Sequence, residues 1–73
     1  VVAKPSEMTP STAWRMARLA AEAAFPPGVL NIVHGPGSTG EAIVTHPRIT
    51  TISFTGGSVT GGRIAGLAAP MYK

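Results

Sequence analysis

The stretch that most constrains the fold of this chain is residues 52–62, where a short β-branched and aromatic run leads directly into glycines. Its sequence is ISFTGGSVTGG, and an apolar helical pattern follows from Arg63. A strand, a glycine-rich turn and a helix N-terminus in this order present unpaired backbone N–H groups that can bind an anion such as a phosphate. We therefore expect the other segments to support this turn or to form a second wall of the same site.

The start of the chain predicts a strand followed by a helix. Residues 1–3 are typical of the end of a strand, and Thr9 and Pro10 predict the N-cap and the first position of a helix. Apolar residues then recur at helical spacing on one face over about four turns. These residues are Ala13, Met16, Ala17, Ala20 and Ala24. Because most of them are alanines, we expect this helix to pack closely on a sheet.

The remaining pattern predicts two more strands and two more helices. Residues 29–33 and 50–54 are β-rich, and the first of these runs suits a strand covered on both faces. Between them, a glycine-rich turn at 35–40 precedes a short helix over 41–45, with Glu41 in its first turn. The predicted order is β-α-β-α-β-α, which indicates an α/β fold: part of a doubly wound, Rossmann-like parallel sheet.

The chain is too small to complete such a sheet. It has 73 residues and no cysteine, and its two histidines have no carboxylate cluster near them. A chain of this size hides only roughly 60% of its unfolded surface, and neither a disulfide nor a metal site is expected to compensate. Three strands also leave edges that need neighbours. We therefore expect a piece of a larger protein, with the remainder of that fold as its partner.

Composition argues against nucleic acids and membranes as partners. The net charge is +3, but the six Lys and Arg residues are scattered and form no basic run. The apolar runs are only a few residues long, so no membrane span is predicted. The lack of cysteine fits a reducing compartment, and we expect a cytoplasmic location.

From the residues alone, two interpretations of the glycine-rich turns stay open. Gly56 and Gly61 follow a predicted strand, but their spacing matches neither G-x-G-x-x-G nor the P-loop pattern. This turn either binds phosphate or only lets the helix pack on the strand. For the turn that contains Gly35 and Gly37, a simple loop is the better interpretation of the pattern.

Lys4 and Glu7 follow the first predicted strand, at the carboxyl edge where doubly wound sheets bind ligands. A lysine there can donate to ribose hydroxyls, and a glutamate can accept from them and repel a 2′-phosphate. The alternatives are a solvated lysine and a helix-start glutamate. Ser58 and Thr60 are most simply caps of the third helix. No set of nucleophile, base and orienting group can be assembled, so no catalytic residue is predicted.

In order and in spacing, these motifs resemble those of the NAD(P)-dependent aldehyde dehydrogenase superfamily, over essentially all 73 residues. The resemblance is carried by KPSE at 4–7, TP at 9–10, FPPGVLNIV at 25–33, HP at 46–47 and ISFTG at 52–56. It implies that residues 1–73 are the central part of the dinucleotide-binding domain. The implied cofactor is NAD rather than NADP, and the implied parent is a homo-oligomer.

In that family a cysteine thiolate attacks an aldehyde to form a thiohemiacetal, a hydride passes to NAD(P)+, and hydrolysis releases a carboxylic acid. The resemblance places the catalytic cysteine and glutamate outside these residues, so activity is expected of the parent and not of this chain alone. The ISFTG motif favours a semialdehyde as the substrate. The alternative is a non-catalytic, truncated remnant or interaction fragment.

The resemblance also implies residue roles. Lys4 resembles the lysine that binds the adenosine ribose, and Glu7 resembles the glutamate that shares those hydroxyls and favours NAD. Gly35 and Gly37 resemble glycines beside the adenine, and the turn at 56–61 resembles the one that meets the pyrophosphate. The implied cofactor-binding residues are Lys4, Ser6, Glu7, Gly35, Gly37, Phe54, Gly56, Gly57, Ser58 and Gly61.

Three positions depart from the family pattern. Gly57 stands where the family usually has a serine that touches a phosphate, so Ser58 would have to compensate. The turn at 35–40 is about one residue short. Ala24 replaces a glycine that commonly ends the first helix, and alanine in a left-handed conformation costs roughly 1 kcal/mol. We therefore expect that helix to end differently in this chain.

Overall fold

The structure is a computed structural model that describes all residues from 1 to 73. It divides into two compact units, Val1–Pro36 and Gly37–Lys73. Two short strands, three α-helices and one 3-10 helix make it a mixture of helix and strand, as expected for part of an α/β fold. None of the helices combines the length and the apolar character that crossing a bilayer requires.

The first unit is built on a two-stranded parallel sheet. Strand β1 (Val2–Ala3) pairs with strand β2 (Asn31–Ile32), and helix α1 (Ser11–Glu22) connects them. The register places Val2 opposite Asn31 and Ala3 opposite Ile32. The predicted parallel pairing of the first two strands is therefore confirmed, although the second strand is shorter than the predicted run at 29–33.

Helix α1 packs its alanine face against β2. Ala13, Ala17 and Ala20 are the half-buried residues of this helix, and they recur three and four positions apart. Their small side chains let the helix approach the sheet closely. Met16 was predicted on the same face, but it is 53% exposed, so the contact surface is narrower than the sequence pattern indicated.

The start of α1 differs from the prediction. Pro10 occupies the N-cap position, and no side chain caps the first turn. The N–H of Thr9 donates to the carbonyl of Ser6 at 3.2 Å, so Thr9 closes a turn that precedes the helix. The prediction of Thr9 as the N-cap is wrong, because α1 begins one residue later than predicted and no side chain caps it.

The end of α1 is a left-handed cap formed by an alanine. Ala24 has a φ of 59°, a conformation that favours glycine. The N–H of Phe25 donates to the carbonyl of Ala20 at 3.0 Å, and that of Ala24 to the carbonyl of Ala21 at 3.1 Å. These two bonds define a Schellman motif. The expectation that the helix ends differently without glycine is therefore wrong: alanine adopts the strained conformation because the cap satisfies two carbonyls.

Ala24→Gly is expected to raise the free energy of unfolding of the full-length protein by about 1 kcal/mol, because it relieves the strain at positive φ. Urea denaturation measures this change. Ala23→Gly is the matched control, since Ala23 has a φ of −78°. Glycine there relieves no strain and is expected to lower stability by about 0.4–1 kcal/mol. Equal effects of both substitutions would contradict the strain at Ala24.

The second unit is a pair of helices. Helix α2 (Gly37–Val44) contacts helix α3 (Ser58–Ala68), which continues into a 3-10 helix (Ala69–Met71). Val44 of α2 and Ala68 of α3 are the buried core residues of the whole chain, each 5% exposed. One comes from each helix, so the buried core of the structure lies within this helix pair.

Both helices of this unit begin earlier than predicted. Helix α2 was predicted over 41–45 after a glycine-rich turn at 35–40, but residues 37–40 form its first turn. Glu41 therefore lies beyond that first turn. Helix α3 includes residues 58–62, and Gly57 occupies its N-cap position. Glycine propensity misled the prediction, because contacts between helices can outweigh an intrinsic cost of about 1 kcal/mol per glycine.

The third predicted strand is not formed. Residues 50–54 belong to no strand, and the second unit contains no other strand to supply a hydrogen-bonding partner. A β-rich run needs such a partner to become a strand. The sheet consequently has two strands, and the predicted β-α-β-α-β-α sheet is only partly present.

Candidate functional site

Lys4 is held by backbone carbonyls in the first unit. Its Nζ donates to the carbonyl oxygens of Pro5 and Gly35, each at 2.9 Å, and the residue is half-buried. The alternative of a solvated lysine is therefore wrong. An ammonium group carries three N–H donors, so one remains for a ligand. The same contact brings Lys4 and Gly35, two of the predicted site residues, together.

Ser6 and Glu7 lie on the exposed turn that follows Lys4. The Oγ of Ser6 accepts a hydrogen bond from the N–H of Met8 at 3.2 Å, so this hydroxyl shapes the turn. Glu7 is exposed and precedes the first residue of α1 by four positions, so it is not a helix-start glutamate. Its carboxylate takes part in no ion pair of the structure.

Helices α2 and α3 of the second unit run in the same direction. The guanidinium of Arg63 donates to the carboxylate of Glu41 at 2.5 Å. Further along both segments, the ammonium of Lys73 donates to the carbonyls of Val44 and His46 at 2.6 and 2.7 Å. Glu41 is four residues from the start of α2 and Arg63 five from the start of α3. At about 1.5 Å per residue, Glu41 lies about 6 Å along α2 and Arg63 about 7.5 Å along α3.

The N-terminus of α3 offers backbone donors. Gly57 has extended backbone, with φ −69° and ψ 151°, and no side chain caps the helix. The carbonyl of Gly57 accepts from the N–H of Gly61 at 2.9 Å. The three N–H groups between them, at residues 58–60, have no acceptor within the helix. The prediction of Ser58 and Thr60 as caps is wrong, because both residues lie inside the first turn.

The glycines of this turn serve two different purposes. A Cβ on Gly56 would stand 2.6 Å from the Phe54 ring, and one on Gly61 would stand 3.3 Å from it. These two glycines make room for Phe54 to lie across the first turn of α3. A Cβ on Gly57 would meet nothing within 4 Å. Gly56 and Gly61 therefore lie in close contact with the Phe54 ring, and the open approach to the helix N-terminus is at Gly57.

Gly37 begins α2, and the space beside its Cα is open. The interpretation of residues 35–40 as a simple loop is wrong, because most of them are helical. Gly35 and Gly37 fall in different units, so the structure groups the predicted residues into two sets. The first set contains Lys4, Ser6, Glu7 and Gly35; the second contains Gly37, Phe54, Gly56, Gly57, Ser58 and Gly61.

The sequence did not predict an aromatic and basic cleft in the first unit. The cleft has a volume of about 470 Å³ and is lined by Pro10, Ser11, Trp14, Arg15 and His34. The guanidinium of Arg18 lies 5.1 Å from the centroid of the Trp14 ring, a cation–π distance. The available signal was the spacing of Trp14 and Arg18, since residues four apart are neighbours on a helix surface.

The sequence also gave no reason to single out the cross-links between α2 and α3. Arg63 and Glu41 are exposed, and pairing across two helices leaves no spacing signature. No three histidine, cysteine or acidic side chains are grouped where they could hold a metal ion. The chemistry that these residues offer is the binding of hydrogen-bond acceptors, through unpaired backbone N–H groups at a helix N-terminus and through a half-buried ammonium.

A strand–helix–strand unit and a pair of helices make this chain an α/β segment, and comparison with known proteins identifies its family. The sequence profile described as "Aldehyde dehydrogenase family" matches residues 1–73. The chain belongs to the aldehyde dehydrogenase family. No solved structure gives a significant match.

The relatives are much longer proteins. The chain is 55% identical over 74 positions to the 2-aminomuconic semialdehyde dehydrogenase of Bos taurus, covering all of this chain and 15% of that protein. The human protein of the same name is 53% identical with the same coverage. Betaine aldehyde dehydrogenase 2 of Rhizobium meliloti (strain 1021) is 47% identical over 68 positions, covering 93% of this chain and 14% of that protein. The chain thus spans about 15% of the length of the curated relatives it matches.

Gly61→Ala and Gly62→Ala form a matched pair that tests the packing of Phe54. A Cβ on Gly62 would meet nothing within 4 Å, so Gly62→Ala is expected to stabilise α3 by about 0.8–1 kcal/mol. Gly61→Ala should raise the free energy of unfolding measurably less, because the added methyl group would press on the Phe54 ring. Urea denaturation of the full-length protein measures both values. In a Phe54→Ala background the two gains should become equal, and equal gains with Phe54 present would refute the packing role.

Proposed function

We propose that this chain is the central part of the dinucleotide-binding domain of a longer aldehyde dehydrogenase, which oxidises an aldehyde to a carboxylic acid with NAD. The observation that carries the proposal is the family match over all 73 residues. The bound dinucleotide would supply the hydride acceptor. Residues of this chain would bind and orient it, and the catalytic cysteine and glutamate would come from the rest of the protein.

The second unit fits the pyrophosphate of such a cofactor. The Glu41–Arg63 link joins α2 and α3 four and five residues from their starts, so we infer that the positive ends of both helix dipoles point the same way. At α3, the open approach beside Gly57 leads to the unpaired N–H groups at 58–60. A helix N-terminus with free donors is a favourable anion site. We propose that the hydroxyl of Ser58, at the first position of α3, adds a contact where the family usually has a serine at position 57.

The first unit fits the adenosine ribose. Lys4 keeps one N–H donor after bonding two carbonyls, and a ribose hydroxyl is a suitable acceptor. The exposed carboxylate of Glu7 could accept from the ribose hydroxyls. It would also repel a 2′-phosphate, which supports NAD over NADP. Ser6 holds the turn that carries Glu7.

The substrate is proposed to be a semialdehyde. This preference rests on the ISFTG motif at residues 52–56 and on the relatives at 53–55% identity, which are named for 2-aminomuconic semialdehyde. None of these 73 residues is proposed to touch the aldehyde. The substrate class is therefore a property of the full-length protein.

The remainder of the dehydrogenase fold is the proposed partner of this chain. Large apolar side chains are exposed, among them Trp14, Leu19, Phe25 and Val59, whereas only Val44 and Ala68 are buried. In the longer protein, further strands would complete the doubly wound sheet and further elements would cover these side chains. The same small core favours the alternative for the isolated chain, a fragment without enzyme activity. The cytoplasmic location and the homo-oligomeric parent stay predictions.

The cofactor specificity provides the test of this function. The full-length protein is expected to reduce NAD+ when given a semialdehyde. Glu7→Gln is expected to raise kcat/KM for NADP+ relative to NAD+ by about tenfold, because a neutral amide does not repel the 2′-phosphate. Initial rates of reduced nicotinamide formation with each dinucleotide measure this ratio.

Glu22→Gln is the control, since Glu22 is another exposed glutamate of the first unit and its substitution removes the same charge. It should leave the ratio unchanged. A wild-type protein that reduces neither dinucleotide with any aldehyde would overturn the proposed function. A ratio that Glu7→Gln does not change would mean that Glu7 does not face the ribose.

A further inference from the structure

Lys73 joins the ends of two helices. Its ammonium donates to the carbonyl of Val44, the last residue of α2, at 2.6 Å, and to the carbonyl of His46 at 2.7 Å. The residue is half-buried. A lysine in this position is not a solvated surface charge, because two of its three donors are fixed by backbone oxygens.

The backbone of Lys73 is anchored to α3. Its N–H donates to the carbonyl of Ala68, the last residue of α3, at 3.2 Å. Tyr72 has a φ of 59°, and its N–H donates to the carbonyl of Ala69 at 3.0 Å. This left-handed turn reverses the chain and aims Lys73 back at α2. Main chain and side chain of one residue therefore hold the ends of both helices.

The C-terminus of α2 needs such a partner. The last carbonyls of a helix have no intrahelical donor, and the negative end of the helix dipole attracts a cation. The carbonyl of His46 also accepts from the N–H of Ile49 at 3.1 Å. Lys73 thus ties α3 both to the last turn of α2 and to the turn that follows it.

We propose that Lys73 is a positioning residue of the cofactor site, which keeps α2 and α3 in register from their C-terminal ends. The two helices touch the proposed pyrophosphate at their N-termini, about 12 Å away along the eight residues of α2. Since the helices are short and parallel, a sliding of α2 along α3 at their C-terminal ends would also shift their N-terminal ends relative to each other. The expected effect of Lys73 on the affinity for the dinucleotide rests on the proposed function.

The Glu41–Arg63 ion pair does not replace this link. Its side chains are 42% and 72% exposed, respectively, and exposed pairs contribute little. Lys73 instead bonds neutral carbonyls in a partly buried position. Loss of its ammonium would leave the carbonyl of Val44 without that donor.

The test uses Lys73→Met in the full-length protein, because methionine keeps much of the side-chain length without the ammonium. Calorimetric titration with NAD+ is expected to give a dissociation constant about three- to tenfold higher than that of the wild type. The KM for NAD+ should rise similarly while kcat stays unchanged, because the proposal gives Lys73 no contact with the aldehyde or the cofactor. Lys73→Arg, which keeps a cation and its donors, should restore part of the affinity.

Arg63→Gln is the matched control, since it removes the other cross-link between the same helices and should leave the affinity within about twofold. Amide hydrogen exchange of the protein without cofactor gives a second measurement. In Lys73→Met, the amides of α2 should exchange faster than in the wild type, while those of α1 should not change.

The outcomes separate the two proposals. A wild-type protein that binds no NAD+ overturns the proposed function, whereas the hydrogen-exchange result still tests the link between α2 and α3. A wild type that binds NAD+ while Lys73→Met binds equally well overturns the positioning role alone. If Lys73→Met does not fold, Lys73→Gln replaces it, and unchanged exchange in α2 of that variant also overturns the role.

Discussion

Helix ends leave backbone groups without partners, and this constraint explains most of the structure. Helix α1 satisfies its last carbonyls through the left-handed turn at Ala24. The ammonium of Lys73 meets a carbonyl at the end of α2, and a second left-handed turn at Tyr72 closes the segment after α3. The first N–H groups of α3, like those of α1, have no side-chain cap, and Gly57 leaves the approach to those of α3 open. This open N-terminus of α3 is the one that we assign to the cofactor.

Single-sequence reasoning predicted the features that depend on local chemistry and periodicity. The alanine stripe of α1 and the parallel pairing of its flanking strands follow from spacing and element order, and the structure contains both. It failed where a partner decides the outcome. Residues 50–54 have strand composition but no neighbouring strand within their unit. The glycines at 37 and 40 indicated a loop, yet both lie in α2, which packs against α3.

Sequence motifs singled out the residues proposed for the site, but they did not show the contacts between those residues. KPSE at residues 4–7 identified Lys4 and Glu7, but no pattern showed that the Lys4 ammonium bonds the carbonyl of Gly35. Likewise, the glycine spacing at 56–61 could not separate packing from ligand binding, since both need small residues. The structure shows which glycines are needed for packing: Gly56 and Gly61 lie against the Phe54 ring, whereas the space beside Gly57 is open. Lys73 lacked any local signal, because its partners lie more than 25 residues earlier in the chain.

The most direct test of the central claim is a crystal structure of the full-length protein with NAD+ bound. We expect the pyrophosphate oxygens within about 3 Å of backbone N–H groups at residues 58–60, and the adenosine ribose in contact with Lys4 and Glu7. A dinucleotide whose pyrophosphate lies away from the N-terminus of α3 would contradict the account.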